Sequence, residues 1–183
     1  MNERRPDDSK ARPEDFDGPE ATLDDWRWHV EGEFPRGLDP GQGYVHIGVF
    51  VSWLACHGML DADWIDRAGL VSLTLELVER RVAPCALRDG TAGQLTRSML
   101  KAEGAAFASA YYAPQYGYPS DWRRVFGRAA DAYAVPGTWE TYDRMAPVVD
   151  ERYSEWTKAG RPELMQLPGP LGLLSRILRP WRT

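Results

Sequence analysis

A run of residues at 44–55 is almost entirely apolar, and it limits what this 183-residue chain can fold into more than any other feature. Asp39 and Pro40 precede the run, and these residue types favour the N-cap and the first position of a helix. Gly58 follows it and suits a helix end. A helix that is apolar on every side has to be surrounded by other elements. We therefore predict a mainly α, single compact domain around a buried central helix at residues 40–57.

Apolar residues recur at helical spacing in several other stretches of the chain. This spacing predicts helices over residues 63–81, 96–112, 120–126 and 138–160. The first of these stretches also fits a strand in its middle. Pro147 lies inside the last helix, where we expect a kink or break. Residues 26–38 alternate partly and carry Gly and Pro, which predicts extended or irregular structure with one or two short strands.

The two ends of the chain differ from its middle in charge. Residues 1–20 hold seven acidic and four basic residues and few large apolar ones. Such a segment buries too little surface to order itself, so we expect a disordered acidic tail over residues 1–22. Residues 161–183 combine a Pro/Gly linker with a basic segment that has leucines on one side of a helical wheel. We expect an amphipathic C-terminal helix there and a helical domain over residues 23–160.

Charge and apolar content argue against two classes of partner. The net charge of −5 argues against nucleic-acid binding through a basic surface. No stretch reaches 18 apolar residues, and the N-terminal residues lack the pattern of a signal peptide, so membrane association is not expected. Cys56 and Cys85 do not form a C-x-x-C motif. We expect a cytoplasmic protein with two reduced thiols.

The three histidines do not form a recognisable metal or catalytic motif. His46 and His57 lie on the same predicted helix, roughly 16 Å apart, so they cannot bind one metal ion. A zinc site would need His29 together with carboxylates or cysteines from elsewhere. We expect His46 to be hydrogen-bonded in the core and His57 to act as a charge at a helix C-terminus. The sequence thus predicts no metal ligand, no cofactor and no catalytic residue.

Aromatic residues in irregular segments are candidates for a contact surface. Tyrosine and tryptophan combine a large apolar ring with a polar group, which suits protein recognition. Outside the predicted helical stripes, such residues occur near the N-terminus, in a Tyr-rich loop and at the C-terminus. The predicted binding residues are Trp26, Trp28, His29, Phe34, Tyr116, Tyr118 and Trp181.

A combination of short motifs resembles a family of uncharacterised bacterial proteins. The residues that carry the resemblance are Trp28-His29, Phe34-Pro35, His46–Phe50 with Trp53, Gly58 with Leu60, Gly104–Ala108 with Tyr111-Tyr112, Tyr133–Pro136 with Trp139, and residues 150–156. The resemblance implies a compact, mainly helical domain of unknown function. Small bacterial domains of this kind often accompany secreted polymorphic toxins as immunity proteins. The resemblance implies no catalytic residues.

Three functional hypotheses remain open at this stage. The first is a cytoplasmic protein-binding module, an immunity or antitoxin-type protein that occludes a cognate toxin. The second is a small hydrolase-type enzyme that uses His29 or His46 with acidic residues. It requires one of these histidines to lie in a cleft within hydrogen-bond reach of a carboxylate. The third is a peripheral membrane or scaffold protein that acts through the C-terminal helix.

Overall fold

The apolar run forms the central helix of a computed structural model, which describes residues 21–31, 34–112, 117–127 and 130–165. A 3₁₀ helix, Pro40–Tyr44, leads into helix α2, Val45–Cys56. The Asp39 side chain caps this entry by accepting a hydrogen bond from the Gly41 N–H at 2.6 Å. Every residue of α2 before Cys56 is buried. The predicted central helix is therefore confirmed.

The described residues form eight α-helices, two 3₁₀ helices and two short strands. In chain order the elements are β1 (Thr22–Asp25), α1 (Trp26–Val30), α2, α3 (Ala62–Arg67), α4 (Val71–Val78), β2 (Gln94–Thr96), a 3₁₀ helix (Arg97–Met99), α5 (Ala102–Tyr111), α6 (Tyr118–Phe126), α7 (Ala130–Tyr133) and α8 (Trp139–Lys158). The central helix α2 packs against α4 and α8, and α5 also contacts α8. The mainly α class with short strands is confirmed.

Two predicted helices are shorter than expected. The stretch at 63–81 forms α3 and α4, because Gly69 adopts a positive φ of 68° between them. The start of the stretch at 96–112 forms the end of β2 and a 3₁₀ helix, and α5 begins only at Ala102. Lys101, just before α5, has extended backbone with φ −61° and ψ 158°, which interrupts helical geometry. Apolar spacing alone did not reveal either break.

The prediction for residues 26–38 is wrong at its start. The strand lies earlier, at Thr22–Asp25, and Trp26–Val30 is helical. The helix begins here because the Asp25 side chain accepts a hydrogen bond from the Arg27 N–H at 2.9 Å and so acts as its N-cap. Strand β1 pairs with β2 in antiparallel register, with an irregularity between Thr22 and Asp24.

Helix α8 continues through Pro147 without the predicted break. Thr138 caps its start, as expected, by accepting from the Thr141 N–H. The Pro147 ring is exposed, and so is Asp143, whose carbonyl would otherwise accept the missing N–H bond. Because both groups face solvent, water can replace the lost hydrogen bond and the helix stays continuous.

Aromatic side chains fill the centre of the domain. Four of those predicted on helical stripes are almost fully buried: Phe50, Trp53, Phe107 and Trp156. Among the described helices, none is long and apolar enough to cross a membrane. Residues 1–20 of the predicted acidic tail, and residues 166–183 with the predicted amphipathic helix, lie outside the described residues.

Candidate functional site

Three separate elements bring Asp24, His29 and His46 together. His29 Nε2 lies 2.8 Å from Asp24 Oδ1, and His46 Nε2 lies 3.2 Å from Asp24 Oδ2. The two histidine Nε2 atoms are 3.1 Å apart. Strand β1 supplies the carboxylate, α1 supplies His29 and α2 supplies His46. This group of three side chains is called the Asp-His-His cluster below.

The end of β1 aims Asp24 into the protein. A regular strand alternates inward and outward side chains, yet Leu23, Asp24 and Asp25 are all buried. The irregularity in the β1–β2 pairing lies at this point, and such bulges redirect side chains next to functional sites. Asp25 also pairs with Arg27 and accepts a hydrogen bond from Gln94 Nε2 at 2.7 Å. The strand end and the start of α1 are therefore held in one arrangement.

The Asp24 carboxylate is oriented by two further donors. The Tyr112 hydroxyl donates to Oδ2 at 2.6 Å, and the Asp25 N–H donates to Oδ1 at 2.7 Å. Burial favours a raised pKa for Asp24, but its hydrogen bonds with His29 and His46 outweigh burial and keep the pKa well below the ordinary value. The carboxylate is therefore ionised. It is an acceptor for every group around it.

The two histidines differ in exposure. The His46 side chain is 10% exposed, whereas the His29 side chain is 24% exposed. Burial lowers the pKa of His46, although Asp24 opposes the shift. The imidazole rings meet edge to face, with centroids 4.3 Å apart. His46 is thus the buried member of the cluster, and His29 is the member that a small molecule can reach.

The short contacts within the cluster cannot all be hydrogen bonds. The ionised carboxylate has no proton to donate, and each Nε2 atom carries one proton at most. If both Nε2 atoms donate to Asp24, the two nitrogens lie 3.1 Å apart and no proton remains for a hydrogen bond between them. If only one Nε2 atom carries a proton, the other presents a lone pair to the carboxylate. Protons alone therefore satisfy at most two of the three contacts.

A cavity of about 130 Å³ opens beside the cluster. It is lined by His29, His46, Pro119, Trp122, Arg123, Ala132 and Tyr133, and most of the lining surface is apolar. His29 Nδ1 lies 3.0 Å from the Tyr133 hydroxyl. Burial raises the pKa of Tyr133, and the charge on Asp24 adds to the effect, so the hydroxyl keeps its proton. The imidazole of His29 therefore connects the buried carboxylate with a hydroxyl at the cavity.

The predicted binding residues that the structure describes differ in exposure. Trp28 is 49% exposed, whereas Trp26 is partly buried, with the Arg88 guanidinium 4.7 Å from its ring centroid. The Phe34 ring packs against Tyr133, with centroids 5.1 Å apart. Together with His29, these three residues are the predicted binding residues that lie between positions 26 and 34.

The placement of Tyr118 requires a correction. It is fully buried at the start of α6, and its hydroxyl donates to the His46 carbonyl at 2.8 Å. An irregular loop was expected here, but the helix begins at Tyr118 with Pro119 in its first turn. Tyr118 therefore supports the backbone of α2 and does not offer a contact surface. Tyr116 and Trp181 lie outside the described residues.

A second histidine–aspartate pair lies at the other end of α2. His57 is the C-cap of the helix, where a charge was predicted, and its Nε2 atom is 3.3 Å from Asp150 Oδ1. The His57 side chain is 36% exposed and that of Asp150 is 54% exposed. This pair provides an internal comparison for the Asp-His-His cluster.

Sequence reasoning found His29 and His46 but not their partners. Asp24 is one of many acidic residues, and neither Tyr112 nor Tyr133 was predicted to contact a histidine. The one local signal is the stretch from Asp24 to His29, in which a strand end is followed within five residues by a histidine. Tyr112 lies 88 residues from Asp24, so no local pattern could reveal that contact.

Comparison with known proteins identifies one family. A family model described as a domain of unknown function (DUF7832) matches residues 22–135. The match includes Asp24, His29, His46, Tyr112 and Tyr133, and it ends before α8. No curated protein and no solved structure matches the chain. The family description names neither an activity nor a link to toxin immunity.

Proposed function

We propose that this chain, which belongs to the DUF7832 family, is a small hydrolase-type enzyme whose reacting groups are His29 and Asp24. The observation that carries the proposal is the position of His29. Its ring lines the cavity and is partly exposed, while its Nε2 atom lies 2.8 Å from Asp24 Oδ1. This is the geometry that the enzyme hypothesis requires of a general base and the residue that orients it.

The hydrogen-bond connections define a path for one proton. Asp24 accepts from His29 Nε2–H, which leaves Nδ1 as an acceptor for the Tyr133 hydroxyl. When a water in the cavity gives a proton to the Tyr133 oxygen, the tyrosine proton passes to His29 Nδ1. The hydroxide then bonds to the electrophilic atom of the substrate, and the imidazolium returns its proton to the leaving group. Asp24 stabilises the transient positive charge on His29.

The cavity walls limit the kind of substrate. A volume of about 130 Å³ accommodates only a small molecule or the reacting end of a larger one. Trp122 and Pro119 supply flat apolar walls, and Arg123 supplies a positive charge. The proposed substrate class is therefore a small ester or phosphoester with an apolar group and a negative or developing negative charge.

Hydrolysis of p-nitrophenyl acetate and p-nitrophenyl phosphate tests the proposal. We expect measurable turnover by the full chain, and a decrease in kcat of about 10²–10⁴-fold in His29→Gln, because the general base is lost. His57→Gln is the matched control, since it removes another histidine paired with an aspartate outside the cluster. Its activity should equal that of the unmodified chain. The proposal is rejected if the unmodified chain hydrolyses neither compound faster than His29→Gln does.

A second candidate function is the immunity or antitoxin role predicted from the sequence. The specific observation in its favour is an apolar strip on α4, formed by Val71, Leu75 and Val78, which are 45%, 56% and 43% exposed. These residues share one helix face. Exposed apolar strips of this kind often contact a protein partner. The proposed partner is a toxin encoded by a neighbouring gene, and the proposed location of both proteins is the cytoplasm.

Binding to the product of the neighbouring gene tests this second candidate. Leu75→Lys should weaken binding by at least about tenfold, since it places a charge in the apolar strip. Ser72→Lys is the matched control because it adds the same charge to an exposed position of α4 outside the strip. An absence of binding to any neighbour-encoded protein would exclude the immunity role for this chain.

A further inference from the structure

We infer that Asp24, His29 and His46 bind one divalent transition-metal ion, such as Zn²⁺ or Co²⁺, at the inner end of the cavity. The inference rests on the proposed function in that it keeps the hydrolase class and assigns a cofactor to the same site. In the metal-bound state His29 Nε2 is a ligand and Nδ1 carries the proton, so the ion would replace His29 as the group that activates water. The inference concerns binding, however, and binding can be measured without turnover. Four features of the cluster support it.

The spacing of the candidate ligand atoms fits a metal ion. One ligand atom from each side chain lies within 4.8 Å of the other two, and the closest N···O and N···N contacts are 2.8–3.2 Å. An ion that binds such atoms at about 2.0–2.2 Å holds neighbouring ligands about 2.8–3.5 Å apart, depending on its geometry. The side chains are therefore positioned for coordination with small adjustments.

A cation removes the conflict that protons leave in the cluster. Two neutral imidazoles and a carboxylate present three lone pairs toward one another when the Nε2 atoms are bare. A divalent ion between them bonds to all three and neutralises the buried charge of Asp24. The distance of 3.1 Å between the two Nε2 atoms is then the distance between two ligands of one ion, and no hydrogen bond between the nitrogens is required.

The groups around the cluster match those that surround bound metal ions. A histidine that binds through Nε2 has its proton on Nδ1, and this N–H usually donates to an oxygen atom. The Tyr133 hydroxyl oxygen lies 3.0 Å from His29 Nδ1 and can accept it. The Asp24 carboxylate is in turn held by the Tyr112 hydroxyl and the Asp25 N–H. Two of the three candidate ligands, His29 and Asp24, therefore have oriented partners of their own.

The ligand set also indicates the class of metal. Imidazole nitrogens favour zinc, iron, cobalt, nickel and copper, whereas magnesium and calcium prefer oxygen ligands. Three protein ligands leave at least one coordination position, as in catalytic zinc sites. His29 and His46 both line the cavity, so this position is accessible to water. A water bound there loses its proton near neutral pH and would supply the hydroxide that hydrolysis consumes.

Metal titration of the full chain tests the inference. The protein is stripped with a chelator, dialysed and titrated with Zn²⁺ by calorimetry and with Co²⁺ by visible absorption. We expect one ion per chain and Co²⁺ bands typical of nitrogen and oxygen ligands. His29→Ala should weaken binding by at least about 100-fold, because removal of an outer hydrogen-bond partner already costs about 10–100-fold. Tyr133→Phe removes only such an outer partner, so it should weaken metal binding by about 10–100-fold.

The variants are chosen so that folding does not decide the outcome. His29 is partly exposed, so its replacement disturbs the core less than replacement of His46. His57→Ala is the matched control and should bind as the unmodified chain does. If His29→Ala fails to fold, X-ray absorption of the Zn²⁺-loaded unmodified chain decides, with two imidazole ligands expected. Failure to bind Zn²⁺ and Co²⁺, equal affinity in His29→Ala, or fewer than two imidazoles would each overturn the inference.

The titration also separates this inference from the hydrolase proposal. One-to-one binding without hydrolysis of either nitrophenyl compound would reject the hydrolase proposal and support the metal site. Hydrolysis that depends on His29 and persists after chelation, in a chain that binds no metal, would reject the metal site and support the His29–Asp24 mechanism.

Discussion

Each ring nitrogen of His29 contacts a different partner, and this residue links the buried and accessible parts of the site. Nε2 contacts Asp24 and the other histidine, while Nδ1 contacts Tyr133. The sequence indicated that a zinc site would need His29 with carboxylates or cysteines, but it could not select Asp24 from many acidic residues. That selection depends on the irregularity in the β1–β2 pairing, beside which both Asp24 and Asp25 are buried. Sequence alternation contains no signal for such an irregularity.

Cys85 provides a prediction that is independent of the candidate site. Its Sγ atom packs closely against two glycines. A Cβ atom added to Gly48 would lie 2.9 Å from this sulfur, and one added to Gly137 would lie 2.7 Å from it. Burial raises the pKa of Cys85 to about 11. The thiol therefore keeps its proton at pH 8, and only thiolate reacts with iodoacetamide. We expect alkylation of Cys85 in the folded chain to be at least about 100-fold slower than in urea, measured by mass spectrometry. Similar rates in the folded and unfolded chain would contradict the raised pKa of Cys85.

At the scale of elements, the helices were largely predictable, whereas their junctions were not. The buried helix α2 follows from its apolar composition, and α8 follows from its apolar stripe and the Thr138 cap. The division between α3 and α4 and the helical start of α1 depend on a positive φ at Gly69 and on a cap by Asp25. Apolar spacing does not report such local events, and the cap by Asp25 at the start of α1 helps to fix the position of His29.

Gly93 sets the position of α1 on β2. It has a φ of 73°, and a Cβ atom there would lie 2.1 Å from Trp26 Cδ1. Its carbonyl also accepts from the Trp26 N–H at 3.1 Å. Gly93→Ala should therefore lower the free energy of unfolding in urea by about 2–4 kcal/mol, from backbone strain plus overpacking.

The matched control for this prediction is Gly58→Ala. Gly58 has a similar φ of 64°, but a Cβ atom there has no neighbour within 4 Å. Gly58→Ala should lower the free energy of unfolding by only about 1 kcal/mol, because it introduces backbone strain without overpacking. Equal destabilisation by the two substitutions would show that the packing of Trp26 on Gly93 does not contribute to the free energy of unfolding.

At the scale of the whole molecule, the candidate site joins parts of the chain that are distant in sequence. Asp24, Tyr112 and Tyr133 come from β1, the end of α5 and α7. Mainly α composition was predictable because helical periodicity is local. The meeting of these residues results from packing around α2, which one sequence without aligned homologues does not specify. The C-terminal segment, on which the membrane or scaffold hypothesis depends, lies outside the described residues.

Metal binding should stabilise the whole fold, because the three ligands lie on β1, α1 and α2. Zn²⁺ at about 100 times its Kd raises the free energy of unfolding by about 2.7 kcal/mol when it binds the folded chain and not the unfolded chain. For a chain of this size we therefore expect Tm to rise by about 5–10 °C in differential scanning calorimetry. Zn²⁺ should not raise the Tm of His29→Ala in this way, whereas it should raise the Tm of His57→Ala as much as that of the unmodified chain. An equal rise in both variants would indicate binding elsewhere.

Anomalous X-ray diffraction from crystals of the Zn²⁺-loaded chain, recorded on both sides of the zinc absorption edge, tests the central claim most directly. The account predicts one strong peak per chain, about 2.0–2.2 Å from His29 Nε2, His46 Nε2 and an Asp24 carboxylate oxygen. A peak confined to other residues, or no peak among these three side chains, would contradict it.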